Sequence, residues 1–150
     1  MDIRSGKTYP SCSLSNFAPH PFEIDGVECN SMEGFLQSLK FKNPDMQVEV
    51  CKLVGYAAKQ KGRNKKNWDG ALWWRGEEID RFAPEYQELL DRAYEALSKN
   101  NKFRKALLAT GNAVLTHSIG RRKQSDTILT KNEFCERLMW LRAKVKSEDG

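Results

Sequence analysis

Glu33, Gln37 and Lys40 follow one another at intervals of four and three residues. On a helix, seven residues turn the chain by about 700°, so the three share one stripe. A carboxylate, an amide and an ammonium on one stripe could face a cleft. They could equally form a solvated face with Glu33 at the helix start. A second set is Gly62-Arg63 followed by Lys65, Lys66 and Trp68. A planar guanidinium suits a phosphate, and an indole face suits a base or a sugar. The set lacks the Gly-x-x-x-x-Gly-Lys-Ser/Thr of a P-loop, and its plain alternative is a charged surface turn. The third set is the polar loop that carries Asp126 and leads to Asn132, where turn chemistry is the plain alternative. Arg121-Arg122-Lys123 in that loop is a basic run of the kind usually found solvated. No Gly-x-Ser-x-Gly occurs, so a hydrolase nucleophile elbow is not supported.

Metal chemistry finds little footing. Cys12, Cys29, Cys51 and Cys135 are far apart, with no C-x-x-C, and His20 and His117 supply no paired ligands. Reduced thiols and no metal or cofactor are expected.

The elements that must position these groups follow from periodicity and punctuation. Phe22-Glu23-Ile24 and Val27-Glu28-Cys29 alternate around Asp25-Gly26, a β-hairpin signal. Leu14 to Pro19 reads as a loop or short strand leading into it. Asn30 is expected to cap a helix, with Glu33 completing a capping-box-like pair. Met32, Phe35, Leu36 and Leu39 form its apolar face, and it should end near Asn43, before Pro44. A second helix is expected over Met46 to Tyr56, with Val50, Cys51 and Val54 inward. Gly55 breaks it before a helical turn at Ala57 to Lys61, and Gly62 to Asn67 reads as a basic turn. Trp68 to Ile79 holds three of the four Trp and is read as helical. Pro84 opens the clearest helix. Tyr86, Leu89, Leu90, Ala93, Tyr94 and Leu97 recur at helical spacing, and Asn100-Asn101 stops it. Phe103 to Ala109 is a short helix ended by Gly111. Ala113 to Thr116 reads as a short strand and Ser118 to Thr130 as a basic loop. Asn132 is expected to cap a last helix with Phe134, Leu138, Leu141 and Val145 inward. The sum is α+β: a mostly helical single domain, residues 1–150, around a small sheet or hairpin.

Composition agrees. The 150 residues are 39% hydrophobic and 30% charged, with seven Phe and four Trp, which excludes a disordered chain. No uncharged apolar run approaches the ~18 residues of a membrane span. Met1-Asp2-Ile3-Arg4 has no apolar run behind it, so no secretory signal and a cytoplasmic location are expected. The net charge of +5 permits an anionic ligand but falls short of the basic stripe of a dedicated DNA binder.

The order of the pieces adds a resemblance. Ser15-Asn16-Phe17, then Ile24-Asp25-Gly26, then Glu33, Phe35, Gln37, Lys40 and Phe41 is similar to an opening pattern of S-N-F, an apolar-D-G turn and S-E-H-x-x-Q-x-x-K-F. Gly62-Arg63, Asn67-Trp68, Leu107-Leu108-Ala109-Thr110 and Asn132 with Leu138-Met139 and Arg142 continue it. From about Leu14 to Arg142 the chain resembles the NADAR, or YbiA-like, family, whose members are mostly helical single domains with a small sheet. The resemblance implies hydrolysis of an N-glycosidic bond in a phosphorylated ribosyl compound or an ADP-ribosyl-nucleobase adduct. Cleavage at a ribose C1–N bond passes through an oxocarbenium-like state that a carboxylate stabilises or attacks with activated water. Glu33 is then the catalytic carboxylate and Asp126 a second one. Arg63 would grip phosphate as a fork. Lys40 would hold Glu33 or bind phosphate, Asn132 would hydrogen-bond the sugar or order the loop, and Trp68 would stack on a base or fill the core. Asn16, Phe17 and Gln37 complete the expected substrate contacts. Gly34 stands where the family has His, which would remove an imidazole from beside the carboxylate. The aromatic W-G step of the late loop is absent from Asp126 to Thr130. Two alternatives stay open: a module that holds ADP-ribose or a nucleotide without turnover, and a basic protein associated with nucleic acid. Nucleic acid is also a possible carrier of the adduct.

Overall fold

In the computed structural model, residues 1–63 and 70–149 are described here. A short helix, α1 (Ser11–Leu14), precedes the hairpin β1 (Phe22–Ile24) and β2 (Val27–Cys29). Asp25 and Gly26 make its two-residue turn with φ of 51° and 80°. Both central residues of such a turn must be left-handed, which explains the Asp-Gly pair. The register pairs Phe22 with Cys29 and Ile24 with Val27. Phe22, Ile24 and Cys29 face the core.

Helix α2 (Met32–Ser38) is capped by Ser31, whose Oγ accepts from Gly34 N at 3.0 Å. Asn30, the expected cap, instead donates its side-chain amide to the Lys52 carbonyl. The helix also stops at Ser38 rather than near Asn43. Beyond it the Leu39 carbonyl accepts from Trp73 N at 2.8 Å, so a tertiary hydrogen bond claims the chain before Pro44 can end the helix. Asn43 caps α3 (Pro44–Cys51) by accepting from Asp45 N and Met46 N. The expected helix over Met46 to Tyr56 is thus shorter and earlier, and Val54 is exposed. Gly55, at φ 54°, does not merely break a helix but begins α4 (Gly55–Arg63), so Gly62-Arg63 is helical rather than a turn.

The segment read as helical is corrected most. Among its described residues, β3 (Ala71–Trp74) and β4 (Glu77–Asp80) form a second antiparallel hairpin, turning at Arg75 and Gly76 with φ of 54° and 87°. Leu72 and Trp74 alternate inward, a strand period that the density of Trp obscured. Gln47 holds the turn, donating to the Trp73 carbonyl at 2.6 Å and accepting from Arg75 N at 2.9 Å. Trp74 Nε1 donates to Asp25 at 2.8 Å and joins the two hairpins.

Helix α5 (Pro84–Leu97) buries all six residues that its periodicity marks. Asn100 accepts from Lys102 N and Phe103 N and so caps α6 (Asn101–Ala109) rather than only stopping α5. Ala113 to Thr116 makes no strand. It contributes one parallel bridge, Thr116 to Asp2, that ties the first residues down. In the loop beyond, Gln124–Asp126 forms one 3-10 turn. Helix α7 (Lys131–Asp149) starts at a capping box made by Thr130 and Glu133, not at Asn132. Phe134, Leu138, Leu141 and Val145 are buried as expected. Among the described residues, seven α-helices surround two small hairpins: one compact α+β domain. No helix among them is long and apolar enough to cross a membrane.

Candidate active site

Helix α2 lies between α3 and α4, and its orientation decides what Glu33 meets. Gly34 faces α3: a Cβ there would stand 2.5 Å from the Leu53 carbonyl oxygen and 3.0 Å from that of Val50. Glycine at this position therefore lets two backbones approach. Position 34 does not line the cavity of Glu33, and a side chain here is excluded by packing.

Glu33 and Gln37 line a cavity of about 540 Å³ together with Asn16, Phe17 and Arg63. Gln37 Nε2 donates to Glu33 Oε1 at 3.0 Å, and Glu33 N donates to the Asn16 carbonyl at 2.9 Å. The Tyr94 hydroxyl donates to Asn16 Oδ1 at 2.7 Å, which leaves the Asn16 amide hydrogens for a ligand. Burial raises the Glu33 carboxyl above the ordinary glutamate range, against the Gln37 hydrogen bond and the charges of Lys59 and Lys40. Burial likewise lowers Lys40, and the Glu33 charge opposes that shift. Lys40 is thus an electrostatic neighbour of Glu33, but it is not among the residues lining the cavity.

Cations share the cavity wall with the carboxyl. Arg63 lines the cavity from the last turn of α4, held by Gln60 Oε1 at 3.0 Å and lying 5.7 Å from the Tyr56 ring. Lys59, one turn earlier, lies 5.9 Å from the Phe17 ring. Arg4 and Arg121 complete the set of cations. A helix carried on through Arg63 would have marked Lys59 as its i−4 neighbour, which the expected turn at Gly62 concealed. Arg4, Arg121 and His117 reach the cavity only through tertiary folding, and nothing in their local sequence marked them for it.

Besides Lys40, two expected residues stand elsewhere. Asp126 is exposed and lines a shallow depression with Arg121, Arg122 and Lys123, outside the cavity wall. Asn132 is exposed in the first turn of α7 and does not line the cavity. Trp68 lies outside the described residues, as do Lys65 and Lys66. From the late loop, Thr127, Ile128 and Leu129 line the cavity.

Gly62 sets the distance between α4 and α2. A Cβ there would overlap the Gln37 side-chain oxygen. Gly62→Ala is expected to displace the Gln37 amide from Glu33 and to cost about 1–3 kcal/mol in denaturant unfolding. Combining it with Gln37→Ala should recover much of that loss. Strict additivity of the two would place the cost elsewhere.

The family model described as bacteriophage protein GP30.3 matches residues 8–143. A relative from enterobacteria phage T4, the uncharacterized 17.1 kDa protein in the Gp30-rIII intergenic region, is 44% identical over 146 residues, which is 95% of this chain and 96% of that protein. The NMR structure of the E. coli protein YbiA is similar with a TM-score of 0.64 at 19% identity, over 99% of this chain and 86% of that one. At this identity the likeness is one of fold, and it is the fold that the YbiA-like resemblance implied. The chain belongs to the bacteriophage protein GP30.3 family.

Proposed function

We propose that the protein is an N-glycosidase that hydrolyses the ribose C1–N bond of a phosphorylated ribosyl compound or an ADP-ribosyl-nucleobase adduct. The observation that carries the reading is one half-buried carboxyl, Glu33, lining a cavity whose other charged groups include Arg4, Lys59, Arg63 and Arg121. Such a cavity suits a ligand with an anionic phosphate and a reacting carbon that becomes cation-like. Glu33 acts at the C1–N bond. Asn16 offers its amide hydrogens to sugar oxygens, and Phe17 offers an apolar face. Arg63 and Lys59 hold phosphate.

Mass spectrometry of free base tests the reading on three compounds: a ribosylaminopyrimidine phosphate, ADP-ribosylated guanine in DNA, and NAD. Release from one of them identifies a glycosidase and its substrate class. Saturable ADP-ribose binding with no release from any would favour the binding module. Arg63→Ala is expected to weaken a phosphorylated ligand by about tenfold and its unphosphorylated form far less, as loss of a charged hydrogen bond requires. Titration calorimetry on both forms checks this, and equal losses would make Arg63 structural.

A second reading concerns the carrier. The depression lined by Arg121, Arg122 and Lys123 adjoins the cavity through Ile119, Gly120 and Arg121. This favours a nucleic-acid carrier whose phosphates lie on those cations. Binding of unmodified DNA that falls steeply with salt, and equally in Glu33→Gln, would support it.

A further inference from the structure

The chain has two histidines, and His117 lines the same cavity as Glu33. Its Nδ1 lies 2.8 Å from the Ile3 carbonyl oxygen. A carbonyl only accepts, so Nδ1 carries the proton, and in the neutral ring the lone pair is on Nε2. The rest of the niche fixes the ring. Phe134 meets it edge-on, with centroids 5.1 Å apart and planes at 77°. On another side, Gly120 makes room: a Cβ there would stand 2.6 Å from His117 Cδ2. The bridge between Asp2 and Thr116 brings Ile3 to this place, since Ile3 N donates to the Thr116 carbonyl at 2.8 Å. No hydrogen bond joins Nε2 to another described residue, so it is the ring nitrogen free to bond a ligand. His20, by contrast, lies outside the cavity with its Nε2 on the Ser13 carbonyl. Among the described residues lining the cavity, Glu33 and His117 are the carboxyl and the imidazole; the remaining charged side chains are the cations Arg4, Lys59, Arg63 and Arg121.

Resting on the glycosidase reading, we propose that His117 is the base of the reaction: Nε2 takes a proton from the water that attacks the sugar carbon. The water oxygen bonds to C1 as the C1–N bond breaks, and that bond's electron pair stays on the leaving nitrogen. The leaving nitrogen takes the proton of the Glu33 carboxyl. The imidazolium then returns its proton through solvent to the Glu33 carboxylate. One water is consumed, and one free base and one free sugar hydroxyl are formed. Burial suits Glu33 to the acid role by keeping it protonated beyond the range of an exposed glutamate. A ring held by one nitrogen on a backbone carbonyl, with the other free, is the usual arrangement for proton transfer.

His117→Asn keeps a donor for the Ile3 carbonyl and removes the base. With the panel compound that the wild type hydrolyses, the variant is expected to lose about a hundredfold or more in kcat, with KM within about threefold. A kcat within about threefold of wild type would overturn the proposal and leave the glycosidase reading standing. Absence of base release by the wild type from every compound would overturn both. Long-range nitrogen–proton NMR correlations on the wild type need no variant. They are expected to show the ring of His117 protonated on Nδ1, and a ring protonated on Nε2 would overturn the proposal even if the variant failed to fold.

Discussion

Glu33→Gln is expected to lose about a thousandfold or more of base release while the chain stays folded. The amide keeps an oxygen for Gln37 Nε2, which in the wild type donates to Glu33 Oε1 at 3.0 Å. The backbone bond from residue 33 to the Asn16 carbonyl is untouched. No cap is lost, because Ser31 caps α2. Stability should move the other way from activity. The carboxyl is raised in the folded state, so between the ordinary glutamate value of 4.5 and its folded value the folded chain binds more protons than the unfolded one. Stability must then fall as pH rises through that window, and a neutral glutamine escapes this. The variant is expected to match or exceed the wild-type Tm at neutral pH, with the difference closing below the unfolded value. Thermal melts across that range check it. A variant less stable at neutral pH would deny the burial cost. Full activity would remove Glu33 from the chemistry.

The largest loss of stability is expected from Arg81→Ala, roughly 3–5 kcal/mol in denaturant unfolding. Arg81 is fully buried and donates to both Glu133 oxygens, at 3.1 and 2.6 Å, and to the Thr127 carbonyl at 2.9 Å. Its guanidinium lies 4.7 Å from the Tyr86 ring, and the Tyr86 hydroxyl donates to the Ile128 carbonyl. Removing the cation leaves a buried carboxylate with Gln87, Gln124 and the Thr130 backbone as its donors. Burial pushes Glu133 up, but the hydrogen bonds from Arg81, Gln87 and Thr130 outweigh it and hold the carboxyl below its ordinary range. A depressed acid stabilises the fold above its unfolded pKa, and that contribution disappears as pH falls through the folded value. The wild type should therefore lose this part of its stability in acid, and Arg81→Ala should show a smaller loss there. Thr127 and Ile128 line the cavity, so ligand affinity should fall in the variant even below its unfolding midpoint. Glu133→Gln added to Arg81→Ala should recover part of the loss, because no charge then remains buried alone.

Much of the scaffold was legible locally. The Asp25-Gly26 hairpin follows from a turn that only a few residue pairs tolerate. Helix α5 follows from six apolar residues at one period, all of them buried. Where local signals competed with distant partners, the distant partners won. Helix α2 stops early because Leu39 bonds to Trp73, and the β3–β4 hairpin stands where three Trp looked helical because its inward residues alternate. The capping of α7 depended on Thr130 and Glu133 rather than Asn132, and Glu133 is drawn in by Arg81 from a segment far back in the chain.

The same division runs through the candidate site. The stripe of Glu33 and Gln37, and Arg63 with its glycine, were readable because helical spacing and residue type are local properties of the chain. What faces the stripe was not readable. Arg4 and His117 reach the cavity because one backbone bridge holds the first residues against Thr116, and Arg121 arrives on the loop that follows. Asp126 and Asn132 share the region of Arg121 in sequence, yet their side chains lie outside the cavity. By itself the sequence determined the helical periods, the hairpin turn and one carboxyl-bearing stripe, since each depends on neighbours a few residues apart. Only the tertiary structure decided which charges and which imidazole that carboxyl meets, because those encounters depend on packing between segments far apart in the chain.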